Sequence, residues 1–336
     1  MRKSNNLLTY PKESVLNDII GHIHKNENFL ITAHDNLDGD AFGSGLALCL
    51  ALEALNKHVK FLLKTNIPER YKFLPGIDKY TTQNVDYKKY STLFVLDTAG
   101  WDQLEKLDPK TFDKFTTINI DHHVDNSRFG HFNWIETKAS AVGEQIYILL
   151  KDLNVPLTKD ISKCLYTSIL TDTGCFQFTN TTSETHLVIG DLLVSGISPA
   201  LIYEQIYEKM PLARLNLLRH ALDTVKTDSR GNIIWIWITQ KMFKDTETDK
   251  SETEGFIDYI KAVNGVKVAI VFKESDVKGE VRVTFRSRVP SIEVNEIAHK
   301  FNGGGHPAAA GCTIKGTNKE VEEKVLSTVK KSIKTH

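Results

Sequence analysis

The stretch NFLITAHDNLDGDAFGSGLALCLALEALN, residues 28–56, decides the fold class. It starts with a short apolar run, NFLITA, that is typical of a buried strand, and continues through a polar, acid-rich turn. The following segment, GSGLALCLALEALN, has the character of a helix, and the next apolar run, HVKFLL, is again short and strand-like. The order strand, helix, strand is typical of a parallel sheet, so the chain is predicted to start with an α/β domain.

The same alternation continues further along the chain. STLFVLDTA and TTINIDHH are predicted strands that end in polar residues, and ASAVGEQIYILLKDL and ISKCLYTSILTDTG are predicted helices. Open parallel sheets bind their ligands in a crevice beyond the carboxyl ends of the strands. We therefore expect the functional side chains to gather at that edge of the sheet.

The second half of the chain has a different pattern. Residues from about 183 to 227 read as amphipathic helices broken by Gly196, Pro199 and Pro211. Beyond them, NIIWIWIT, VKVAIVF and VRVTFRS are predicted strands, and IEVNEIAHKF and KEVEEKVLSTVKKSI are predicted helices, which makes a smaller mixed α/β domain. The predicted limits are 1–190 for the first domain, 191–228 for a helical connector and 229–336 for the second domain, with the active site expected in the cleft between the two domains.

The overall composition limits the classes of partner. Lys plus Arg and Asp plus Glu both number 42 in 336 residues, so nothing resembles the broad basic surface that long nucleic acids require. The four cysteines, Cys49, Cys164, Cys175 and Cys312, form no CxxC pair, which argues against a disulfide framework and a thiolate zinc site. The N-terminal residues lack the apolar core of a signal peptide, and no run reaches the length of a membrane span, so a cytoplasmic protein with no membrane partner is expected.

Acidic and histidine side chains stand at four places where predicted elements begin or end. The four groups are His34 with Asp38 and Asp40; Asp97; Asp121 with His122 and His123; and Asp172. Carboxylates grouped around one crevice repel each other and are costly to desolvate, and two divalent cations would neutralise them and activate a water molecule. Histidine among oxygen ligands favours manganese or another transition metal over magnesium. The DGD turn alone is explained at least as well by a helix N-cap.

These motifs resemble those of a known family. HDNLDGDAFGS, VLDTAG, IDHHVDN and TDTGCF look like the four ordered motifs of the DHH phosphoesterase family, and FNGGGHPAAAGC looks like the signature of its DHH-associated C-terminal domain. The resemblance covers nearly the whole chain. It is closest to the compact NrnA-like subgroup, whose members act on very short RNAs, on adenosine 3′,5′-bisphosphate (pAp), or on cyclic and linear di-adenylates.

The resemblance implies a role for each matched residue. His34 and Asp38 would bind one manganese ion, Asp40, His122 and Asp172 a second, and Asp97 would bridge the two; cobalt, iron or magnesium could replace manganese. Asp121 would orient a neighbouring histidine, and His123 would contact the scissile phosphate. Relatives commonly have proline where this chain has Leu37, which puts only the rigidity of the turn in doubt.

The second domain supplies the expected substrate-binding residues. Gly303, Gly304, Gly305 and His306 follow a predicted helix, so they form neither a dinucleotide fingerprint nor an ATP loop. Consecutive glycines let backbone N–H groups approach a phosphate or a base, although a tight turn packed under three alanines explains the same residues. Arg286 and Ser287 stand where relatives present an arginine and a serine to a terminal phosphate, which suits bidentate recognition.

The sequence therefore predicts a manganese-dependent phosphodiesterase that hydrolyses cyclic di-AMP, pApA or RNAs of about two to five nucleotides to nucleoside 5′-monophosphates by two-metal activation of water. A pAp 3′-phosphatase is the nearest alternative. An inorganic pyrophosphatase is disfavoured by the GGGH segment, and a non-catalytic nucleotide sensor by the complete ligand set. The expected partner is a small nucleotide rather than a long nucleic acid, and a homodimer is compatible with the sequence.

Overall fold

A computed structural model describes residues 14–35, 37–63, 65–83, 85–104 and 109–334 of the chain. The chain divides into two compact units, Met1–Lys209 and Met210–His336. The break falls inside the segment 191–228 that the sequence predicts to be a connector. The N-terminal residues 1–13, on which the signal-peptide prediction rests, lie outside the described residues.

The first unit is built on a parallel sheet. Its strands are β1 (Asn28–Ala33), β2 (His58–Leu62), β3 (Tyr80–Thr81), β4 (Thr92–Leu96), β5 (Thr116–Asp121) and β6 (Phe132–Ile135). They lie in the order β3-β2-β1-β4-β5-β6, and every pairing is parallel. The predicted α/β fold is confirmed, and β6, which the sequence analysis did not predict, extends the sheet at one edge.

Helices cover both the sheet and each other in this unit. They are α1 (Ser14–Lys25), α2 (Gly39–Ala54), α3 (Val142–Asp152), α4 (Lys159–Asp172), α5 (Ser183–Val194) and α6 (Pro199–Tyr203), the last continued by one π-helical turn at Glu204–Glu208. The central helix α2 is buried on nearly all sides, which explains why its sequence is apolar all round instead of along one stripe. Successive residues of β1 alternate between two cores, with Phe29 and Ile31 in the larger and Leu30 in the smaller.

The second unit is built on a mixed sheet. Its strands are β7 (Lys226–Thr227), β8 (Ile233–Ile238), β9 (Val268–Glu274), β10 (Glu280–Ser287), β11 (Gly304–His306) and β12 (Ala309–Lys315), in the order β11-β12-β10-β9-β8-β7. Only β8 and β9 are parallel among these pairs. The helices are α7 (Leu212–Leu222), α8 (Gln240–Thr246), α9 (Phe256–Lys261), α10 (Val294–His299) and α11 (Asn318–Lys334).

Two separate cores form on the two faces of this second sheet. Helices α10 and α11 pack on one face, where Val283 and Phe285 of β10 are buried. Helices α7, α8 and α9 pack on the other face, but their core reaches only β8 and β9. Trp235 and Trp237 of β8 are buried in the first of these cores and are structural residues.

None of the described helices is by itself long and apolar enough to span a membrane. Only Ser183–Val194 and Pro199–Glu208 taken together have that length and composition, and these two segments are bent by 108° relative to each other.

Candidate metal centre

The predicted acid and histidine residues of the first unit lie together at the carboxyl edge of its sheet. His34 follows β1, Asp97 follows β4, and His122 and His123 follow β5. The remaining members come from helix ends and a strand end, with Asp38 and Asp40 at the start of α2, Asp172 at the end of α4 and Asp121 at the end of β5. The topology thus brings residues from four separate motifs to one place.

The described residues form three groups of possible ligand atoms, one of which consists of Asp97, His122 and His123 and overlaps the other two. The other two are triads that share no residue. In the first, atoms of His34, Asp38 and Asp97 all lie within 4.8 Å of one another. The second triad satisfies the same limit with Asp40, His122 and Asp172. These are the same sets that the family resemblance assigns to two separate metal ions.

Asp97 contacts both triads through different oxygens. Its Oδ2 lies 3.3 Å from Nε2 of His34, and its Oδ1 lies 3.7 Å from Nε2 of His122. The residue is buried and has a left-handed backbone with φ of 51°. Such a conformation costs a non-glycine residue about 1–3 kcal/mol and persists only where the surroundings enforce it, which makes this strand end a functional candidate.

Asp40 is held in a fixed orientation by three donors. Its Oδ2 accepts a 2.7 Å hydrogen bond from the backbone N–H of Val142, and its Oδ1 accepts bonds from the N–H of Gly143 at 3.2 Å and from Oγ of Ser168 at 2.5 Å. The two N–H groups belong to the N-terminus of α3, where unsatisfied donors favour an anion. A side chain at Gly143 would collide with Ser168, so glycine is required for this close packing.

Asp38 has two roles at once. Its Oδ1 caps α2 by accepting bonds from the N–H groups of Asp40 and Ala41, both at 3.0 Å, while its Oδ2 lies 3.8 Å from Nε2 of His34. The N-cap and the ligand interpretations of the DGD turn are therefore compatible, because each uses a different oxygen of the same carboxylate.

The two adjacent histidines are oriented by different groups. The ring of His122 is fixed through Nδ1, which lies 3.1 Å from the carbonyl oxygen of Ala139, so that Nε2 points towards the carboxylates. The Nδ1 atom of His123 lies 2.7 Å from Oδ1 of Asp121. The other oxygen of Asp121 accepts a 2.6 Å bond from the side-chain amide of Asn126.

The protein groups of the site alone give it strongly perturbed pKa values. Burial lowers the pKa of His34, but the hydrogen bond and charge of Asp97 outweigh burial and raise the pKa to about 9. Burial also lowers the pKa of His122, and the charges of Asp172, Asp97 and Asp40 raise it to about 9. The pKa of Asp172 is raised to about 7, first by burial and then, against the influence of His122, by the charge of Asp97.

The pKa of Asp40 shows the effect of burial and of repulsion among the carboxylates of the site. Burial, followed by the charges of Asp97 and Asp172, raises the pKa of Asp40 well above its usual range. A cation at this point would remove the conflict, because it favours every carboxylate in its charged form.

The donor set fits metal binding. Nε2 of His122 lies 3.6, 3.7 and 4.0 Å from carboxylate oxygens of Asp172, Asp97 and Asp40, distances too long for good hydrogen bonds. Ligand atoms that each lie about 2.1 Å from a shared ion are separated by roughly 3–4 Å. Mixed carboxylate and imidazole ligands suit manganese, cobalt, iron or zinc better than calcium.

The predicted substrate residues of the second unit are placed on its sheet as follows. Arg286 pairs with Ala309 of β12, and Ala309 pairs with His306 of β11, so these three side chains share one face. Ser287 is adjacent on β10 and faces the other way, with its Oγ donating to the carbonyl of Val289 at 2.9 Å. The structure therefore brings Arg286 and His306 onto one surface and gives Ser287 a local structural contact.

The three glycines differ in their surroundings. A side chain at Gly303 would collide with the backbone of Gly311, and one at Gly305, whose φ is 133°, would collide with the backbone of Ala309. A side chain at Gly304 would meet only His299, at 3.8 Å. Packing of the β11–β12 hairpin thus explains why Gly303 and Gly305 are glycines. Gly304 is not required by this packing, and its lack of a side chain leaves its backbone accessible to a ligand.

The sequence analysis did not identify the groups that hold the possible metal-binding side chains in place. Backbone atoms such as the N–H of Val142 and the carbonyl of Ala139 carry no sequence signal. Ser168 did carry one, since it lies one helical turn before Asp172 on α4 and so on the same face. Asn180 donates from its amide to the carbonyls of Ser140 and Asp172 at 3.0 and 3.1 Å.

Comparison with known proteins gives a consistent assignment. Residues 28–169 match the DHH family, N-terminal domain, and residues 232–335 match the DHHA1 domain. The chain is 32% identical over 304 residues to the bifunctional oligoribonuclease and PAP phosphatase NrnA of Thermus thermophilus, covering 90% of this chain and 89% of the relative. It is 28% identical over 309 residues to the protein of the same name from Bacillus subtilis, covering 88% and 92%.

A solved structure supports the fold. The exopolyphosphatase-related protein from Bacteroides fragilis has a TM-score of 0.90 to this chain at 23% identity, over 97% of this chain and 98% of that one.

Proposed function

Since this chain belongs to the DHH family and is a hydrolase acting on phosphoester bonds, we propose that it cleaves very short nucleotides to nucleoside 5′-monophosphates with the help of two manganese ions. The observation that carries the proposal is the pair of triads, together with Asp97, which belongs to the first triad and lies close to His122 of the second. Manganese is proposed because imidazole and carboxylate ligands are present together.

The ligand assignment follows the two triads. We assign His34 and Asp38 to one ion, Asp40, His122 and Asp172 to the other, and Asp97 to both. Two such ions would polarise the phosphoryl group and lower the pKa of a bound water molecule so that it can attack near neutral pH. Asp40 and His122 are each oriented by hydrogen bonds to other protein groups, which would place them for binding the ions.

His123 is assigned to the reacting phosphate. Burial lowers the pKa of His123, but the hydrogen bond that its Nδ1 donates to Asp121 and the charge of Asp97 raise it to about 9. The hydrogen bond to Asp121 favours the protonated imidazole, which is suited to stabilise negative charge on phosphoryl oxygens. Asp121 acts as a positioning residue, held in turn by Asn126.

The second unit is proposed to recognise the nucleotide. Arg286, which shares a face with His306, would bind the terminal phosphate in a bidentate manner, and the backbone of Gly303, Gly304 and Gly305 would contact the same nucleotide. Ser287 is retained as a weaker candidate, because its hydroxyl already contacts Val289.

Short RNA and linear or cyclic di-adenylates are the proposed substrates. The names of the two relatives include both oligoribonuclease and PAP phosphatase, and this favours pAp 3′-phosphatase activity as a second candidate at the same centre. An inorganic pyrophosphatase is disfavoured by the DHHA1 match, and a sensor without activity is disfavoured by the complete ligand set.

The test is product analysis by chromatography. Purified protein is incubated with manganese, and separately with a chelator, on cyclic di-AMP, pApA, pAp, a five-nucleotide RNA and pyrophosphate. The proposal expects AMP from the dinucleotides or the RNA in the manganese arm only. Turnover of pAp alone would move the protein to the phosphatase candidate, and turnover of none of these compounds would contradict the proposal.

A further inference from the structure

One face of the second sheet is left uncovered where it carries cationic and hydroxyl side chains. On β10, Val281, Val283 and Phe285 point into the core under α10 and α11, so Arg282, Thr284 and Arg286 point to the opposite face. The core on that opposite face ends at β8 and β9. Helix α9 contacts part of β10, and Arg286 and Thr284 are partly buried, whereas Arg282, Thr313 and His306 are exposed.

Two positive charges lie directly opposite each other at one end of this face. Arg282 of β10 pairs with Lys273 of β9 in the antiparallel register, so both side chains stand on the same side of the sheet. Like charges in this arrangement destabilise a sheet. Burial, followed by the charge of Arg282, lowers the pKa of Lys273 to about 8.

The described residues provide no carboxylate that forms an ion pair with either cation. Nζ of Lys273 donates instead to Oγ1 of Thr253 at 2.8 Å. The two nearby acids have other partners, since Asp276 pairs with Lys250 at 3.3 Å and Glu280 pairs with Lys315 at 3.8 Å. An unfavourable pair that the protein does not neutralise is a site for an external anion.

The surroundings of Arg282 and Lys273 indicate which kind of anion they bind. Hydroxyl groups flank it, because Thr313 is the β12 partner of Arg282 and Thr284 is the next residue of β10 on the same face. Arg286 lies four residues from Arg282 along the strand, a distance of about 13 Å at 3.3 Å per residue. That separation is too large for the phosphates of one mononucleotide unit and suits a phosphate further along an extended strand.

We propose that Arg282 and Lys273 bind a backbone phosphate of an oligonucleotide whose terminal phosphate is held at Arg286. This inference rests on the proposed function and deepens it, because it makes RNAs of three or more nucleotides the preferred substrates over pAp and dinucleotides. Thr313 and Thr284 donate to the same phosphate or to the adjoining ribose.

The test compares Arg282→Gln and Lys273→Gln with the wild type. Lys330→Gln is the matched control, since it removes one exposed positive charge from α11, on the opposite face of the sheet. Binding of 5′-phosphorylated penta-adenylate and of pAp is measured in chelator, where no hydrolysis occurs, over a series of salt concentrations. Steady-state kcat and KM for both compounds are then measured with manganese.

The proposed site predicts that the variants lose binding affinity to a degree that depends on the length of the nucleotide ligand. Each variant is expected to weaken penta-adenylate binding about fivefold at low salt and to reduce the slope of log affinity against log salt by about 0.7, while pAp binding changes less than twofold. The kinetic loss is expected in KM, because the contact is made equally in the ground and transition states.

Two results would overturn the site: equal losses for pAp and penta-adenylate, or penta-adenylate binding as unaffected in Arg282→Gln as in Lys330→Gln. Failure of the proposed function is distinguishable from either result, because a wild type that hydrolyses neither compound still shows the length-dependent binding difference if the site exists. An unchanged melting temperature in Lys273→Gln excludes a folding defect as the cause of weaker binding.

Discussion

Substitution of Ser168 tests how Asp40 is held in position in the candidate metal centre. Its Oγ donates to Asp40 at 2.5 Å from a fully buried position on α4. Without metal the pKa of Asp40 is raised, first by burial, so the hydrogen bond that Ser168→Ala removes is weaker than in the metal-bound protein, with a cost of about 1 kcal/mol. With metal bound, Asp40 is a carboxylate and the lost bond is charge-assisted, with a cost of about 2.5 kcal/mol.

The difference between these two costs, about 1.5 kcal/mol, must appear as a loss of metal affinity of roughly tenfold. Urea unfolding in chelator and in manganese measures the two stabilities, and calorimetric titration measures the affinity.

Ser162 provides a matched control on the same helix. It is as deeply buried as Ser168, but its Oγ has no hydrogen-bond partner among the described residues. Ser162→Ala is therefore expected to leave metal affinity unchanged and to leave stability the same or slightly higher, since a buried unsatisfied hydroxyl is costly. Equal effects of the two substitutions on stability and on manganese affinity would refute the reasoning.

Three further predictions concern the same protein. Asp97→Asn and His122→Ala are each expected to abolish hydrolysis while retaining the far-UV circular dichroism of the wild type, and near-normal turnover by either would contradict the ligand assignment. Arg286→Ala is expected to raise KM about tenfold or more for substrates with a terminal phosphate, and a matching loss on substrates without that phosphate would contradict the recognition role. Because the pKa values of His34 and His122 are raised to about 9, both hold a proton below that pH in the metal-free protein, so manganese binding at pH 7.5 should release about two protons from these histidines and tighten as pH rises towards 9. Titration calorimetry in two buffers of different ionisation heat measures the release, and none at pH 7.5 would contradict it.

The fold could be predicted because sequence patterns and topology agree in the first unit. The strand–turn–helix stretch from Asn28 to Ala54 has the elements that its apolar runs indicate. The strands β3, β6, β7 and β11 were missed, because two to four residues carry too little periodicity to be distinguished from a loop. The longer β12 was also missed, because its first alanines were interpreted as part of a tight turn.

Only the side chains of the candidate metal centre could be predicted from the sequence. Asp40 and His122 were identified by residue type and strand end, and the structure brings them together. The groups that orient them are largely backbone atoms, the N–H groups at the start of α3 and the carbonyl of Ala139, whose positions follow from helix and loop packing rather than from composition. The same limit applies to Gly303 and Gly305, where only the hairpin geometry separates a packing role from a binding role.

The central claim is that two metal ions share Asp97 at the edge of the first sheet. Electron paramagnetic resonance of the protein titrated with manganese tests it most directly. We expect two ions per chain whose spectra show magnetic coupling, and coupling that is lost in Asp97→Asn. A single ion per chain, or two ions with independent spectra, would contradict the account.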